Sequence, residues 1–264
     1  MLRQTCRHLG FTLAEVLITL GIIGVVAAMT IPTLLTNIRN KELQAQLKKT
    51  YSEWNQVSMQ FMDDNDTSIP DFVANEYIEK GNAKDFTAEL PKYIKGVTKY
   101  SDWNWTIKDN DGNSNSVNAQ PYKTYTLKGS AKTLPCDSSV YGGLNFDIGG
   151  KFFSFDDPPK YGYNGPRLCV DLNGKDKPNT FGIDIFSFIF TTDGHIIPEG
   201  QPHKDNNYSS GWGVAGGTYS VEDNKDHCST ERITCTYYAI HDISPTGHGT
   251  YWKDYIGKKQ YKWF

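Results

Sequence analysis

GFTLAEVLITLGIIGVVAAMTIPTLL, residues 10–35, is the stretch that decides the fold of this 264-residue chain. Between Phe11 and Leu35 it contains one charged residue, Glu15. As a helix rising about 1.5 Å per residue, this run covers about 37 Å, enough to cross a hydrocarbon layer of about 30 Å. A carboxylate inside such a run costs on the order of 3 kcal/mol. Glu15 is therefore expected to have a role beyond anchoring.

The ten residues before Phe11 are polar and include Arg3 and Arg7. A short basic leader ends in Gly10, phenylalanine follows it, and an acid lies four residues after the phenylalanine. This arrangement resembles the N-terminus of the type IV pilin family. That family includes the pseudopilins of type II secretion and DNA-uptake pilins. The resemblance implies cleavage by prepilin peptidase between Gly10 and Phe11, methylation of the new N-terminus, and Glu15 as the fifth mature residue.

The resemblance also suggests a role for Glu15 in assembly. After cleavage Phe11 carries an amine, which is positively charged at neutral pH. In a bundle of such helices, the amine of one subunit can pair with Glu15 of a neighbour and set the register between them. The alternatives are a single-pass anchor with no further role and a secretory signal peptide cut near Ala28. Neither alternative explains Glu15.

The helical pattern continues beyond the apolar run. Pro32 predicts a kink or loosening, because proline lacks an N–H and clashes with the preceding turn. Residues 36–64 are expected to form an amphipathic continuation of the helix. Its apolar face consists of Leu43, Leu47, Tyr51, Trp54, Val57 and Phe61.

Residues 65–264 are expected to form one exported globular α+β domain, with short helices in 71–96 and short strands after residue 97. The strands are predicted at Trp103–Ile107, Tyr122–Leu127, Leu144–Ile148, Lys151–Phe155, Leu168–Asp171, Ile183–Thr191, His195–Ile197, Tyr237–Ile240 and Tyr251–Ile256. Asp109–Asn113 and Gly149-Gly150 are typical of hairpin turns. The predicted architecture is a long N-terminal helix packed on an antiparallel β-sheet, with a loop-rich C-terminal region.

The chain has five cysteines, of which Cys6 lies in the predicted leader. The remaining four are an even number in an exported domain, which favours two disulfides among three possible connectivities. The favoured pairs are Cys136–Cys169 and Cys228–Cys235. A zinc site is the alternative, although no pair has the Cys-x-x-Cys spacing.

A loop after residue 170 is rich in oxygen-bearing side chains: Asp171, Asn173, Asp176, Asn179 and Asp184. Calcium takes six to eight oxygen ligands from carboxylates, amides and carbonyls, so this loop is a candidate structural calcium site. The spacing departs from that of an EF-hand. The alternative is a loop whose Asp and Asn side chains bond their own backbone in Asx-turns.

Composition and motifs narrow the function further. A formal net charge of −3, without a basic stripe, argues against a nucleic-acid partner. No active-site motif is evident, so the chain is not expected to be an enzyme. We expect a structural subunit of a type II secretion pseudopilus or a type IV pilus-like filament. Its expected partners are other pilin-like subunits, prepilin peptidase and the inner-membrane assembly platform.

The expected location is the cytoplasmic membrane, crossed once, with the C-terminal domain exported to the periplasm or cell surface. An alternative function is that of a membrane-anchored exported binding protein, an adhesin or a DNA-uptake factor, that does not polymerise.

Overall fold

The structure is a computed structural model. It describes residues 11–80, 84–100, 106–108, 114–116, 124–127, 129, 131–132, 145–156, 166–174, 176–201, 207–208, 219–220, 228 and 235–257. The predictions about the leader 1–10, including Gly10 and Cys6, and about Cys136 lie outside these residues.

One helix, α1, runs from Leu13 to Asn65 and joins the apolar run to the amphipathic continuation. It is continuous through Pro32, where the hydroxyl of Thr36 donates to the proline carbonyl at 2.9 Å. The helix ends at Asp66, which adopts a left-handed conformation with φ of 53°. The shorter helical elements that follow are α2 (Ile69–Lys80), α3 (Lys84–Glu89) and a 3-10 turn (Leu90–Tyr93).

Twelve short strands are present in the described part of the chain. They are β1 (Thr98–Tyr100), β2 (Thr106–Lys108), β3 (Ser114–Ser116), β4 (Thr124–Tyr125), β5 (Ala131–Lys132), β6 (Asn145–Ile148), β7 (Lys151–Asp156), β8 (Arg167–Asp171), β9 (Ile185–Phe190), β10 (Ile196–Pro198), β11 (Asn207–Tyr208) and β12 (Tyr219–Ser220). Six of them form one antiparallel sheet in the order β1-β6-β7-β8-β9-β10. The remaining strands pair as β2-β3, β4-β5 and β11-β12.

The hairpin between β6 and β7 is closed by Gly149 and Gly150, as the sequence predicts. Both glycines have positive φ, 57° and 81°, and Ile148 pairs directly with Lys151. A two-residue turn with positive φ at both positions matches the right-handed twist of the strands.

The amphipathic half of α1 packs on one face of the six-stranded sheet. Trp54 is 3% exposed, and its ring lies 5.4 Å from that of Phe153 and 6.2 Å from that of Phe190. Leu47 and Phe61 are fully buried on the same side of the helix. The α+β prediction is confirmed, with a long helix on an antiparallel sheet. The predicted apolar face of the helix is confirmed as well.

Two strand predictions are wrong. Tyr237–Ile240 lies in a helix, α4 (Thr236–His241), and Tyr251–Ile256 forms one turn of π-helix. These segments contact α1 instead of extending the sheet. The β10 edge is covered by α1, because the Ile196 N–H donates to Asn55 Oδ1 at 3.0 Å. A further strand would lack that backbone donor.

Candidate assembly segment and C-terminal loop

The N-terminal half of α1 is not buried by the globular domain. No residue in 11–39 is buried, and the first buried residue along the helix is Asn40. The most apolar 18-residue window of the helix has a mean hydropathy of 2.2 and no buried residue. This half of the helix is long and apolar enough to span a membrane.

The start of α1 is capped by a reciprocal pair, Thr12 and Glu15. The Thr12 N–H and hydroxyl both donate to Glu15 Oε2 at 2.8 Å, and the Glu15 N–H donates to Thr12 Oγ1 at 3.2 Å. This capping box satisfies donors that a helix start leaves unpaired. Our sequence reasoning did not assign this role to Thr12. The signal was present, since Thr-x-x-Glu before an apolar run is the capping-box pattern.

The C-terminal π-helical turn lies against α1 where the two halves of the helix meet. Asn40, 3% exposed, donates from Nδ2 to the carbonyl of Trp252 at 3.0 Å. The Trp252 indole N–H donates to the Ala239 carbonyl at 2.8 Å, and the backbone N–H of Trp252 donates to Asp242 Oδ1 at 3.1 Å. These bonds link α1, α4 and the π-helical turn into one unit.

The candidate calcium loop begins at the end of β8 and ends just before β9. Asp171 and Asp184 are both buried, and the Leu172 N–H donates to the Asp184 carbonyl at 2.8 Å. The Asp184 carboxylate accepts the N–H groups of Asn179 at 2.8 Å and Thr180 at 2.6 Å. Asp184 thus holds the turn that leads into β9.

The other three predicted calcium ligands, Asn173, Asp176 and Asn179, differ in burial and in hydrogen-bond partners. The Asn179 side chain is buried. With its amide oriented so that the nitrogen faces the two oxygens, it donates to the Asp176 carbonyl at 2.8 Å and to Asp171 Oδ2 at 3.3 Å. The Asn173 N–H donates to Asp171 Oδ1, and its Nδ2 donates to the Lys177 carbonyl at 3.2 Å. The Asp176 side chain is exposed.

Much of this loop is therefore stabilised by hydrogen bonds between its own side chains and backbone, as the Asx-turn alternative expects. Asn173 Oδ1 is buried without a hydrogen-bond partner among the described residues. Within those residues, no group of three or more His, Cys, Asp or Glu side chains is arranged to hold a metal. The calcium site stays a prediction.

Burial shifts the pKa of one carboxyl group in this loop, that of Asp184. It raises the pKa of the Asp184 carboxyl to about 7, although the hydrogen bonds from Thr180 and Asn179 act in the opposite direction. Removing a carboxylate from water disfavours its charged form, and two neutral N–H donors only partly offset this cost.

Gly182 connects the loop to the disulfide-bonded C-terminal region. Cys228 and Cys235 form the predicted disulfide. A Cβ on Gly182 would lie 2.9 Å from Cys235 Sγ and 2.7 Å from the Tyr251 hydroxyl oxygen. That hydroxyl donates to the Gly182 carbonyl at 2.6 Å. Cys169 is disulfide-bonded, and its predicted partner lies outside the described residues.

A buried ion pair joins Arg167, at the start of β8, to Glu199, which directly follows β10. Arg167 and Glu199 are both buried, with Nη2–Oε1 and Nε–Oε2 distances of 3.1 Å. The Ser187 hydroxyl donates to the same carboxylate at 2.5 Å. Sequence reasoning missed this pair, because the two residues are 32 positions apart and no local pattern relates them.

Comparison with known proteins addresses the N-terminal segment. The family model for the prokaryotic N-terminal methylation motif matches residues 6–31. Neither the search of curated proteins nor the search of solved structures found a match to the chain. The matched stretch includes Gly10, Phe11 and Glu15 and continues into the exposed apolar half of α1. The match supports a type IV pilin-like family, and it covers the N-terminal segment alone.

Proposed function

We propose that the chain is a structural subunit of a type IV pilus-like filament or type II secretion pseudopilus. It is processed by prepilin peptidase after Gly10 and assembles through α1. The observation that carries the proposal is that α1 has no buried residue between positions 11 and 39. Such an apolar helix requires lipid or other apolar helices around it, and a filament of packed helices supplies the second environment.

The capping geometry supports a role for Glu15 in this assembly. Both hydrogen bonds from Thr12 go to Oε2, and Oε1 accepts none from the described residues. Oε1 is the oxygen through which a neighbouring subunit's Phe11 amine would pair with Glu15. The pairing would set the axial register of the filament, while packing between apolar helices holds the subunits together.

In this proposal the globular domain is exported to the periplasm or cell surface. The inner-membrane assembly platform and other pilin-like subunits are its partners, and the chain is structural and not an enzyme. A non-polymerising, membrane-anchored binding protein is the competing function; in it Glu15 would serve only to cap α1.

Substitution of Glu15 tests the proposal. Glu15→Ala is expected to leave membrane insertion intact and to abolish recovery of the chain in sheared filaments. Glu42→Ala is the matched control, since Glu42 is an exposed acid in the solvent half of the same helix. Mass spectrometry of the inserted protein should also find an N-methylated Phe11 as the first residue. Equal recovery of both variants in filaments would refute the assembly role.

A further inference from the structure

The solvent half of α1 carries a stripe of exposed charged residues on the side away from the sheet. Lys41, Lys48 and Asp63 are all exposed. At about 100° of rotation per residue, they lie within about 60° of one another around the helix axis. Leu43 and Phe61, which are buried in the core, lie roughly 170° from the middle of this group. The three charged residues therefore share one exposed surface of the helix, the charged stripe.

Positive and negative charges are segregated along the charged stripe. Lys41 and Lys48 lie at the end nearer the apolar run, and Asp63 lies in the last turn of the helix. Positions 48 and 63 are fifteen residues apart, and positions 41 and 63 are twenty-two residues apart. These separations correspond to about 22 Å and 33 Å along the axis. Between Lys48 and Asp63, the same surface presents the uncharged side chains of Ser52, Gln56 and Met59.

The stability of the helix does not explain the acidic end of the stripe. The last turn of α1 contains Asp63 and Asp64 and no basic residue, and Asp66 follows as the C-cap. A helix C-terminus favours cations, so the helix dipole opposes acidic side chains there. Within the described parts of the chain, none of these three aspartates forms an ion pair. A cation from outside the subunit would offset this unfavourable placement.

The basic end of the stripe is also without an ion-pair partner in the described residues. Lys49, beside the stripe, pairs with Glu53 at 3.6 Å, but no such pair includes Lys41 or Lys48. Neither of these two lysines has an acid three or four positions away, the spacing that brings helical side chains together. One helix surface therefore offers cations at one end and anions at the other.

We propose that the charged stripe binds a second copy of this chain, parallel to the first and displaced by about 22–33 Å along the helix axis. Lys41 and Lys48 of one subunit then face Asp63 of the other. Parallel copies at the same level would place lysine against lysine and aspartate against aspartate. Displacement replaces this repulsion by attraction, so the stripe is complementary to a displaced copy of itself.

The stripe continues the unburied apolar half of α1, through which the proposed function has the subunits assemble, and the inference rests on that function. Helices that pack together with their sheets outward present their stripes to one another. A pairing of the Phe11 amine with Glu15 of a neighbour, four residues along, corresponds to a step of about 6 Å. The stripes then meet between subunits about four to six steps apart. Subunits anchored at one level in the membrane repel each other through the same residues.

Charge reversal and charge exchange test this contact in the full chain. Lys48→Glu and Asp63→Lys should each lower recovery in sheared filaments about fivefold, the effect of losing one strong exposed ion pair. The double variant with both substitutions should restore recovery. Lys95→Glu is the control, because Lys95 is exposed and lies outside α1, and it should leave recovery unchanged.

Thermal unfolding separates the contact from a folding defect. Asp63→Lys places a cation at the C-terminus of α1, where the helix dipole favours it. Its melting temperature should therefore equal or exceed that of the unaltered chain while its recovery in filaments falls. A fall in recovery that is accompanied by a lower melting temperature and is not restored in the double variant would overturn the proposal.

Crosslinking identifies the occupant of the stripe. Lys48→Cys and Asp63→Cys subunits are co-expressed, and sheared filaments are treated with a short thiol crosslinker. We expect dimers that contain one subunit of each kind, and none when Lys48→Cys is expressed alone. Crosslinks between two Lys48→Cys subunits, or only to a different protein, would overturn the displaced copy, as would full recovery of Lys48→Glu. Absence of the unaltered chain from filaments would instead refute the proposed function.

Discussion

Gly182→Ala tests whether the loop that follows β8 and the disulfide-bonded C-terminal region form one packed unit. Gly182 has a φ of 80°, which disfavours any residue with a Cβ. The added Cβ would lie 2.7 Å from Tyr251 Oη, 2.9 Å from Cys235 Sγ and 3.0 Å from Cys235 Cβ. The substitution therefore imposes both a backbone strain and a steric overlap with buried groups.

Gly247→Ala is the matched control for the backbone strain. Gly247 has a φ of 81°, and nothing lies within 4 Å of the position of its Cβ. The left-handed conformation should cost either variant about 1–2 kcal/mol of unfolding free energy. Overpacking should cost Gly182→Ala a further 1–3 kcal/mol or so, because the disulfide and the Tyr251 ring are held by other contacts.

The assay is thermal unfolding of the oxidised full-length chain in mild detergent, followed by tryptophan fluorescence. At about 2–4 °C per kcal/mol for a domain of this size, Gly182→Ala should melt about 2–12 °C below Gly247→Ala. Equal melting temperatures would show that Cys235 and Tyr251 do not pack against Gly182, and would refute the single packed unit.

Three further predictions concern buried charges. Because burial raises the folded-state pKa of Asp184 to about 7, the stability gained from its protonation is complete below about pH 4 and is lost as the pH rises through 7. The loss is at most about 4 kcal/mol, and Asp184→Asn should flatten the curve of melting temperature between pH 4 and 8. Arg167→Met should lower the free energy of unfolding by about 3–5 kcal/mol, because it leaves the Glu199 carboxylate buried and unpaired. In denaturant titrations, the double variant with Glu199→Gln should recover most of that lost free energy. A double variant as unstable as the sum of the singles would contradict this. If the loop binds calcium, millimolar calcium should raise the melting temperature of the wild-type chain and not that of Asp171→Ala; no shift in the wild type would contradict the site.

Features that depend on neighbouring positions could be read from the sequence. The apolar run from Phe11 to Leu35 has the length of a membrane span, and the three- and four-residue spacing after it places Trp54 on the buried face of a helix. The Gly149-Gly150 turn and the Cys228–Cys235 pair are equally local. Each feature arises from covalent geometry and residue type within a few turns of chain, so no distant contact is needed to predict it.

Other features were decided by contacts between residues far apart in the chain. A short aromatic run such as Tyr251–Ile256 has no strong preference between strand and helix. The prediction of a strand was wrong because α1 covers the β10 edge through Asn55, and because Asn40 of α1 donates a hydrogen bond to the Trp252 carbonyl. The buried pair of Arg167 and Glu199 likewise exists only because the sheet brings the start of β8 and the end of β10 together across β9. Sequence alone therefore determined the apolar segment and the helix that carries it. The tertiary structure decided how the globular domain packs on the rest of this helix, because burial and hydrogen bonding in the domain depend on partners that no local pattern specifies.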